Sequence, residues 1–379
     1  MRLSDEQELI RSTARKFARA EIAPHAAAWE RDGKIPRDVL TRMGELGFLG
    51  MCVPEEWGGA GVDTVSYVVA LMEIAAGDGA ISTVMSVNNS PMCAALMAYG
   101  SEAQKRDVLA PMARGEWIGA FLLTEPQAGS DASNLKTRAT RDGDHYVIRG
   151  TKQFVTSGRI ASVAMVFAIT DPEAGKRGIS CFLTPTGVSG YIVHRDEDKL
   201  GQRASDTCQV VLDDLRVPAH AMLGKPGEGY KIALANLSTG RIGIAAQSVG
   251  MAHAALDAAT AYAKERVAFG KPIIEHQAIA FRLADMATQL EVARQSVLHA
   301  AALRDAGVSC LKEACMAKLF ASEMAERVCS DAIQIHGGYG YLRDYPVERI
   351  YRDVRVCQIY EGTSDVQRML ISREIAAGR

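Results

Sequence analysis

Trp117-Ile118-Gly119-Ala120-Phe121-Leu122-Leu123-Thr124 decides how the chain divides. It is an unbroken apolar run that leads straight into Pro126 and Gly129. A short apolar run bounded by turn residues reads as a buried strand. Before it, apolar residues recur at helical spacing. After it, they fall into short strand-like segments.

Upstream, Ser4 is placed to cap a first helix, with Gln7 three residues on as its capping-box partner. Leu9, Ile10, Ala14, Phe17, Ala18 and Ile22 form the apolar stripe, and Pro24 closes it. Val39, Met43, Leu46 and Leu49 repeat the pattern after Pro36. Val53-Pro54-Glu55-Glu56-Trp57-Gly58-Gly59-Ala60-Gly61 is too rich in Gly and Pro to be helical. Residues 65–76, 80–99 and 104–113 read as further helices.

Downstream, residues 145–156 alternate like a strand pair with a tight bend. Residues 163–170, 179–185, 191–195 and 207–212 are further short strands, and Asp142-Gly143-Asp144 is a hairpin turn. Short strands at this spacing suit a small barrel or sandwich. Beyond Gly227, residues 230–265, 276–305 and 309–336 are long and rich in Ala, which suits a bundle. The expected fold is therefore α+β and mainly helical. It comprises an N-terminal helical domain (1–115), a middle β-barrel domain (116–225) and a C-terminal four-helix bundle (226–379). No GxGxxG follows a first strand, which argues against a doubly wound nicotinamide enzyme.

Composition narrows the function classes. Net charge is −2, with 48% hydrophobic and 23% charged residues, so no basic footprint for nucleic acid or a membrane surface is present. No apolar run is long enough to span a bilayer, and the N-terminus carries no signal core. A bacterial-type cytoplasm, or an organelle matrix, is the expected location. The eight cysteines form no CxxC pair and read as buried free thiols, and no metal site is expected.

Five stretches could carry chemistry. Thr124-Glu125-Pro126-Gln127-Ala128-Gly129-Ser130 ends the first strand in a loop whose backbone N–H groups and hydroxyls suit a polar ring edge or a phosphate. Phe154-Val155-Thr156 offers an aromatic and a hydroxyl at another strand end. Arg266, beside Phe269-Gly270-Lys271-Pro272, suits a phosphate clamp. Gln334-Ile335-His336-Gly337-Gly338 ends a long helix on bare backbone. Finally, Gln358-Ile359-Tyr360-Glu361-Gly362-Thr363-Ser364-Asp365 sets one acid between apolar residues and Gly-Thr-Ser. A carboxyl held against apolar neighbours has its pKa raised toward the working pH, as a general base requires. Each stretch also fits a plain structural role: a turn, a strand end, a solvated helix-end cation, a C-cap, or a helix N-cap.

Taken jointly, these stretches and Val53-Pro54-Glu55-Glu56-Trp57-Gly58-Gly59 closely resemble the acyl-CoA dehydrogenase family over nearly the whole chain. The resemblance implies FAD and a homotetramer built as a dimer of dimers. It implies that Phe121, Leu123, Thr124, Gly129 and Ser130, with Phe154, Val155 and Thr156, hold the flavin ring and ribityl chain. Arg266, Phe269, Gln277, Gln334, Ile335, His336, Gly337 and Gly338 would contact the diphosphate and adenine end across the dimer. Thr363, Ser364 and Asp365 would reach the cofactor beside the base. Ser130, Ser238, Arg241 and Gly362 would lie on the substrate side.

The same resemblance makes Glu361 the base that removes the α proton of an acyl-CoA while a hydride passes from the β carbon to flavin N5. One branch of the family places its base at the position of Gly240, which cannot serve. Electron-transferring flavoprotein would be the electron acceptor. The stretch Gly240-Arg241-Ile242-Gly243-Ile244-Ala245-Ala246-Gln247 is most like short-chain and short branched-chain members of fatty acid or branched-chain amino acid catabolism. A medium-chain or other specialised dehydrogenase, or a non-catalytic acyl-CoA-binding homologue, is the alternative. Met85, Asn88 and Asn89 are candidates for the pocket mouth and floor.

Overall fold

The computed structural model describes residues 1–378, except for the side chain of Ser238. The capping box at Ser4 and Gln7 forms, and it starts α1 (Asp5–Phe17). A wider turn over Ala18–Ile22 then leads to Pro24. After it come α2 (Ala26–Asp32), α3 (Arg37–Glu45), α4 (Thr64–Gly77), α5 (Gly79–Val87), α6 (Ala94–Tyr99), α7 (Glu102–Gln104) and α8 (Ala110–Ala113). Between α5 and α6 the chain kinks at Ser90-Pro91, so the expected single helix over 80–99 is broken. Pro91 cannot donate a helical hydrogen bond, which sets the break there.

The strands are β1 (Gly119–Leu122), β2 (Arg138–Asp142), β3 (His145–Thr156), β4 (Val163–Ile169), β5 (Ile179–Pro185), β6 (Tyr191–Asp196), β7 (Thr207–Pro218) and β8 (Met222–Leu223). They pair in the order β6-β7-β3-β2-β4-β5-β8, with β1 parallel to β4. Among the described residues β6 and β8 do not pair, so the sheet stays open and the expected closed barrel is corrected. The reason lies in β4. Its Ala164, Val166 and Ala168 face the core between the two halves of the sheet. Its Val163, Met165 and Phe167 face a second core made with Met92, Leu96, Leu109, Met112 and Ile232 from helices. With helices covering that second face, burial is complete without closure.

Two further expectations are corrected. Residues 145–156 form one strand with two register shifts, not a strand pair with a bend. Strand β7 continues past Leu212 to Pro218, because Asp213 and Asp214 sit at one of those irregularities and do not end the strand.

The helices resume with α9 (Gly229–Glu265), α10 (Gln277–Asp305), α11 (Leu311–His336), α12 (Val347–Val354) and α13 (Ser364–Ala376). Three of these are long. The helix that packs beside α9 in the manner of a fourth bundle member is α4, from the N-terminal part. One core therefore runs through both helical regions, from Phe17, Leu71 and Ile74 to Val249, Val297, Ala317 and Ala321. Small residues on α11, at Ala314, Ala317, Ala321, Ala325 and Ala332, let α9 approach closely. Seven of the eight cysteines are buried free thiols, and Cys52 is exposed.

Candidate active site

The chain leaves α12 through a short turn (Arg355–Gln358) and reaches Glu361 and Gly362 in sequence. Both have positive φ, 53° and 97°. For a non-glycine residue this costs about 1–3 kcal/mol and persists only where the surroundings impose it. Here they do. The buried Gln367 donates from Nε2 to the carbonyls of Glu361 (3.3 Å) and Gly362 (2.8 Å). Lys318, fully buried on α11, donates from Nζ to the Gly362 carbonyl at 2.7 Å. Thr363 then caps α13 through the Val366 N–H. The Glu361 N–H makes no hydrogen bond among the described residues.

One oxygen of the carboxylate is buried. Glu361 as a residue keeps partial exposure, yet its Oε2 is buried without any hydrogen-bond partner. Burial pushes the carboxyl up to about 7, against the opposing pull of Arg241 and Lys318. Arg241 is 5% exposed, and its Nε is likewise buried and unpartnered. On α9, Gly240 faces the carboxylate: a Cβ there would sit 2.6 Å from the Glu361 carboxyl carbon.

Behind Glu361 lies a polar lattice. The Tyr360 hydroxyl donates to Gln247 Oε1. Gln247 Nε2 donates to the Gly79 carbonyl, Ser82 Oγ and Thr83 Oγ1 at 3.0, 2.7 and 2.6 Å. Thr83 donates to Gln202 Oε1 at 2.6 Å, and the Gln202 N–H donates to Asp353.

A second group forms at the sheet. The buried Lys152 Nζ lies 2.8 Å from Glu125 Oε1 and donates to the Leu123 carbonyl at 3.2 Å. Glu125 also accepts from the Lys136 and Thr137 N–H groups and from Gln127. The Gln153 N–H donates to the Thr124 carbonyl at 2.9 Å. These bonds bring the two expected flavin loops together. At the register shift in β3, Phe154 has φ of 55° and is 64% exposed. Thr124 and Thr156 are half-buried, while Gly129 and Ser130 are exposed. The Phe121 ring packs 4.8 Å from Phe167, and the side chains of Leu123 and Val155 belong to the cores.

A third group lines a cleft of about 390 Å³: Tyr262, Arg266, Ile335, His336, Gly337 and Gly338 among others. Arg266 lies over the Tyr339 ring at 5.6 Å and has no carboxylate partner among the described residues. Gly337 (φ 60°, ψ −136°) takes a backbone shape reserved for glycine, and a Cβ at Gly337 or Gly338 would meet nothing. His336 shares its Nδ1 proton with the Ala332 carbonyl and stacks on Tyr262, so it serves the helix end. Phe269 is 97% exposed, and Gln277 and Gln334 are exposed at helix ends nearby.

Glu361, Gly362 and Arg241 thus come together, as do the two sheet loops and the residues around Arg266. Among the described residues, no hydrogen bond, ion pair or ring contact joins the Arg266 cleft to the sheet loops. Thr363 and Ser364 are half-buried at the start of α13, and Asp365 is exposed. The side chain of Ser238 lies outside the described residues. Asn88 and Asn89 do not face a pocket: their amides are consumed by the Leu49, Met112, Phe48 and Met85 carbonyls and the Gly119 and Met51 N–H groups. Glu125, Lys152, Lys318 and Gln367 had no assigned role in the sequence. The signal for Lys318 was its spacing with Ala314, Ala321 and Ala325, which places it on the buried face of α11.

Comparison with known proteins follows the same map. Three family models match: the acyl-CoA dehydrogenase N-terminal domain over 4–116, the middle domain over 120–215 and the C-terminal domain over 227–376. The chain is 46% identical over 370 residues to the mitochondrial short-chain specific acyl-CoA dehydrogenase of Bos taurus, covering 98% of this chain and 90% of that one. Its fold superposes on butyryl-CoA dehydrogenase from Megasphaera elsdenii with a TM-score of 0.97 at 40% identity, covering 99% of both chains. It matches equally, at 0.97 and 44% identity over 99% of both chains, a structure described as "Electron transferring flavoprotein of Acidaminococcus fermentans: Towards a mechanism of flavin-based electron bifurcation". Among the described residues no helix is long and apolar enough to cross a membrane. With this sequence coverage and this fold, the chain belongs to the acyl-CoA dehydrogenase family of FAD-dependent oxidoreductases.

Proposed function

We propose that this chain introduces the α,β double bond into a short-chain or short branched-chain acyl-CoA, with Glu361 as the base. The observation that carries the reading is the Glu361 carboxylate, with Oε2 buried and unpartnered, poised near 7, and with room supplied by Gly240. A base matched to neutral pH is half-ionised where it works, which favours proton transfer. The short acyl group is supported by the relatives named as short-chain and butyryl-CoA enzymes.

The residues present fit FAD. Gly337 and Gly338 leave backbone bare, and Arg266 keeps a cation free of carboxylates beside them, which suits a diphosphate. The exposed ring of Phe154 beside Thr156 suits a planar group. The loops at Thr124–Ser130 and Phe154–Thr156 would hold the ring end. The Arg266 cleft, Phe269 and Gln277 would hold the diphosphate and adenine end. Among the described residues no hydrogen bond, ion pair or ring contact joins these two groups, which supports a site completed by a neighbouring subunit in a homotetramer. In this reading residues 1–115, 116–225 and 226–379 are its three units. When bound, FAD supplies the acceptor for the hydride that leaves the β carbon, and electron-transferring flavoprotein would take the electrons onward.

The chain's own residues set the rest. Glu361 takes the α proton on its carboxylate. The unpartnered Glu361 N–H is free to donate to the thioester oxygen and steady its developing negative charge. Arg241 and Ser130 stand on the substrate side, with Gly362 keeping backbone low beside the base. The test is anaerobic bleaching of the flavin with a panel of acyl-CoAs. Butyryl-CoA and isobutyryl-CoA should bleach it fastest. Faster bleaching by octanoyl-CoA or palmitoyl-CoA overturns the short-chain reading, and no bleaching by any of them overturns the activity.

A further inference from the structure

We propose that Lys318 is a positioning residue for this reaction: its ammonium pins the Gly362 carbonyl from behind and holds a positive charge against the ionised Glu361. The inference rests on Glu361 being the base. Three observations carry it. Lys318 is fully buried, and it donates at 2.7 Å to the carbonyl one residue past Glu361. A buried lysine is costly unless something uses its charge. Gln367 already donates to the same carbonyl at 2.8 Å, so a neutral donor suffices for the turn itself. What Lys318 adds is charge.

The groups facing this charge come from three elements, and a fourth faces one of them. Arg241 on α9 is a second cation; Cys315 shares α11; Cys357 and Glu361 come from the segment before α13, and Glu374 on α13 faces Cys315. Glu361 couples to both Lys318 and Arg241. Tyr67 on α4 couples to Glu361 as well, as a neutral hydroxyl. Burial lowers the Lys318 ammonium to about 8 and raises Glu361 to about 7, so between those values the facing cation and anion is the main form of the pair. Removing the cation leaves only Arg241 to oppose the burial of the Glu361 charge.

The experiment follows flavin reduction by butyryl-CoA across pH in FAD-loaded enzyme. Lys318→Met and Lys318→Gln both delete the charge, and Lys318→Gln retains a polar donor if Lys318→Met does not fold. In either, the ionisation that switches on reduction should move up by about one pH unit, the scale at which a neighbouring opposite charge acts. The rate at pH 7 should then fall about fivefold, with KM little changed and recovery at high pH. Lys318→Arg should keep the wild-type midpoint. Gln367→Met should slow the step at every pH without moving the midpoint. An unchanged midpoint in FAD-loaded Lys318→Gln or Lys318→Met overturns the proposal, as does an equal shift in Gln367→Met. If Glu361→Gln still reduces flavin, the base assignment fails first. If Glu361→Gln is inactive and the Lys318 variants keep the midpoint, only the role of Lys318 fails.

Discussion

Gly240 on α9 keeps open the space that the Glu361 carboxylate fills. A Cβ at Gly240 would come within 2.6 Å of the carboxyl carbon and 3.0 Å of Oε1. What it would strike is the far end of a flexible side chain, so the clash is relieved by moving the carboxylate and not the backbone. Gly240→Ala should therefore fold and hold FAD, yet misplace the base. A displacement on the order of 1 Å costs about a hundredfold in rate. Single-turnover flavin reduction, read beside the melting temperature, checks this. A near-normal rate would show that the carboxylate works from elsewhere.

Glu361→Gln should bind FAD and acyl-CoA and lose at least about a thousandfold in flavin reduction, within the range ascribed to a positioned base. It should also be more stable than the wild type at pH 8. Burial raises the folded-state pKa of Glu361 to about 7, well above the ordinary carboxyl range. A carboxyl raised in this way favours folding below its unfolded pKa, and that contribution is lost as pH rises through about 7. At pH 8 the ionised wild-type side chain costs up to about 3 kcal/mol that glutamine does not. Melting curves of the two proteins should separate at pH 8 and converge toward pH 5.

For the wild type, flavin reduction at saturating acyl-CoA should rise with pH through an ionisation near 7, because the ionised carboxylate is the active form. A flat profile between pH 6 and 8.5 would argue against Glu361 as the base.

Lys152→Met leaves Glu125 as a buried charge with its cation gone. Breaking a buried pair by removing one partner costs about 3–5 kcal/mol. Because this pair ties the Leu123–Ser130 loop to the strand end at Phe154, FAD retention should fall with stability. The flavin-to-protein absorbance ratio after gel filtration reads the first effect and thermal melting the second. Wild-type flavin content in the variant would detach the pair from the cofactor loops.

Much of the fold was legible because it follows from local pattern. The Ser4 and Gln7 capping box, the three long helices beyond Gly227 and the hairpin at Gly143-Asp144 each depend on residues a few positions apart. The barrel was not legible. Whether a sheet closes depends on what covers its second face, and the helices over Val163, Met165 and Phe167 come from distant parts of the chain. The strand expected over 207–212 runs further, because pairing absorbs Asp213 and Asp214 at an irregularity and carries β7 to Pro218.

The sequence alone determined the order of helix, sheet and helix, and singled out Glu361 as an acid among apolar and small residues with glycine at position 240. Periodicity and local spacing suffice for the order of elements, while the weight on Glu361 and Gly240 came from the resemblance of the stretches taken together to the family. Only the tertiary structure decided that Gly240 and Glu361 touch, and that Lys318 and Arg241 both act on the carboxylate. It also decided that Asn88 and Asn89 serve backbone and not a pocket. The physical reason is that desolvation and charge act through space. A carboxyl reaches about 7 only when packing from α9, α11 and α13 removes water around it. No stretch of neighbouring residues encodes that burial by itself.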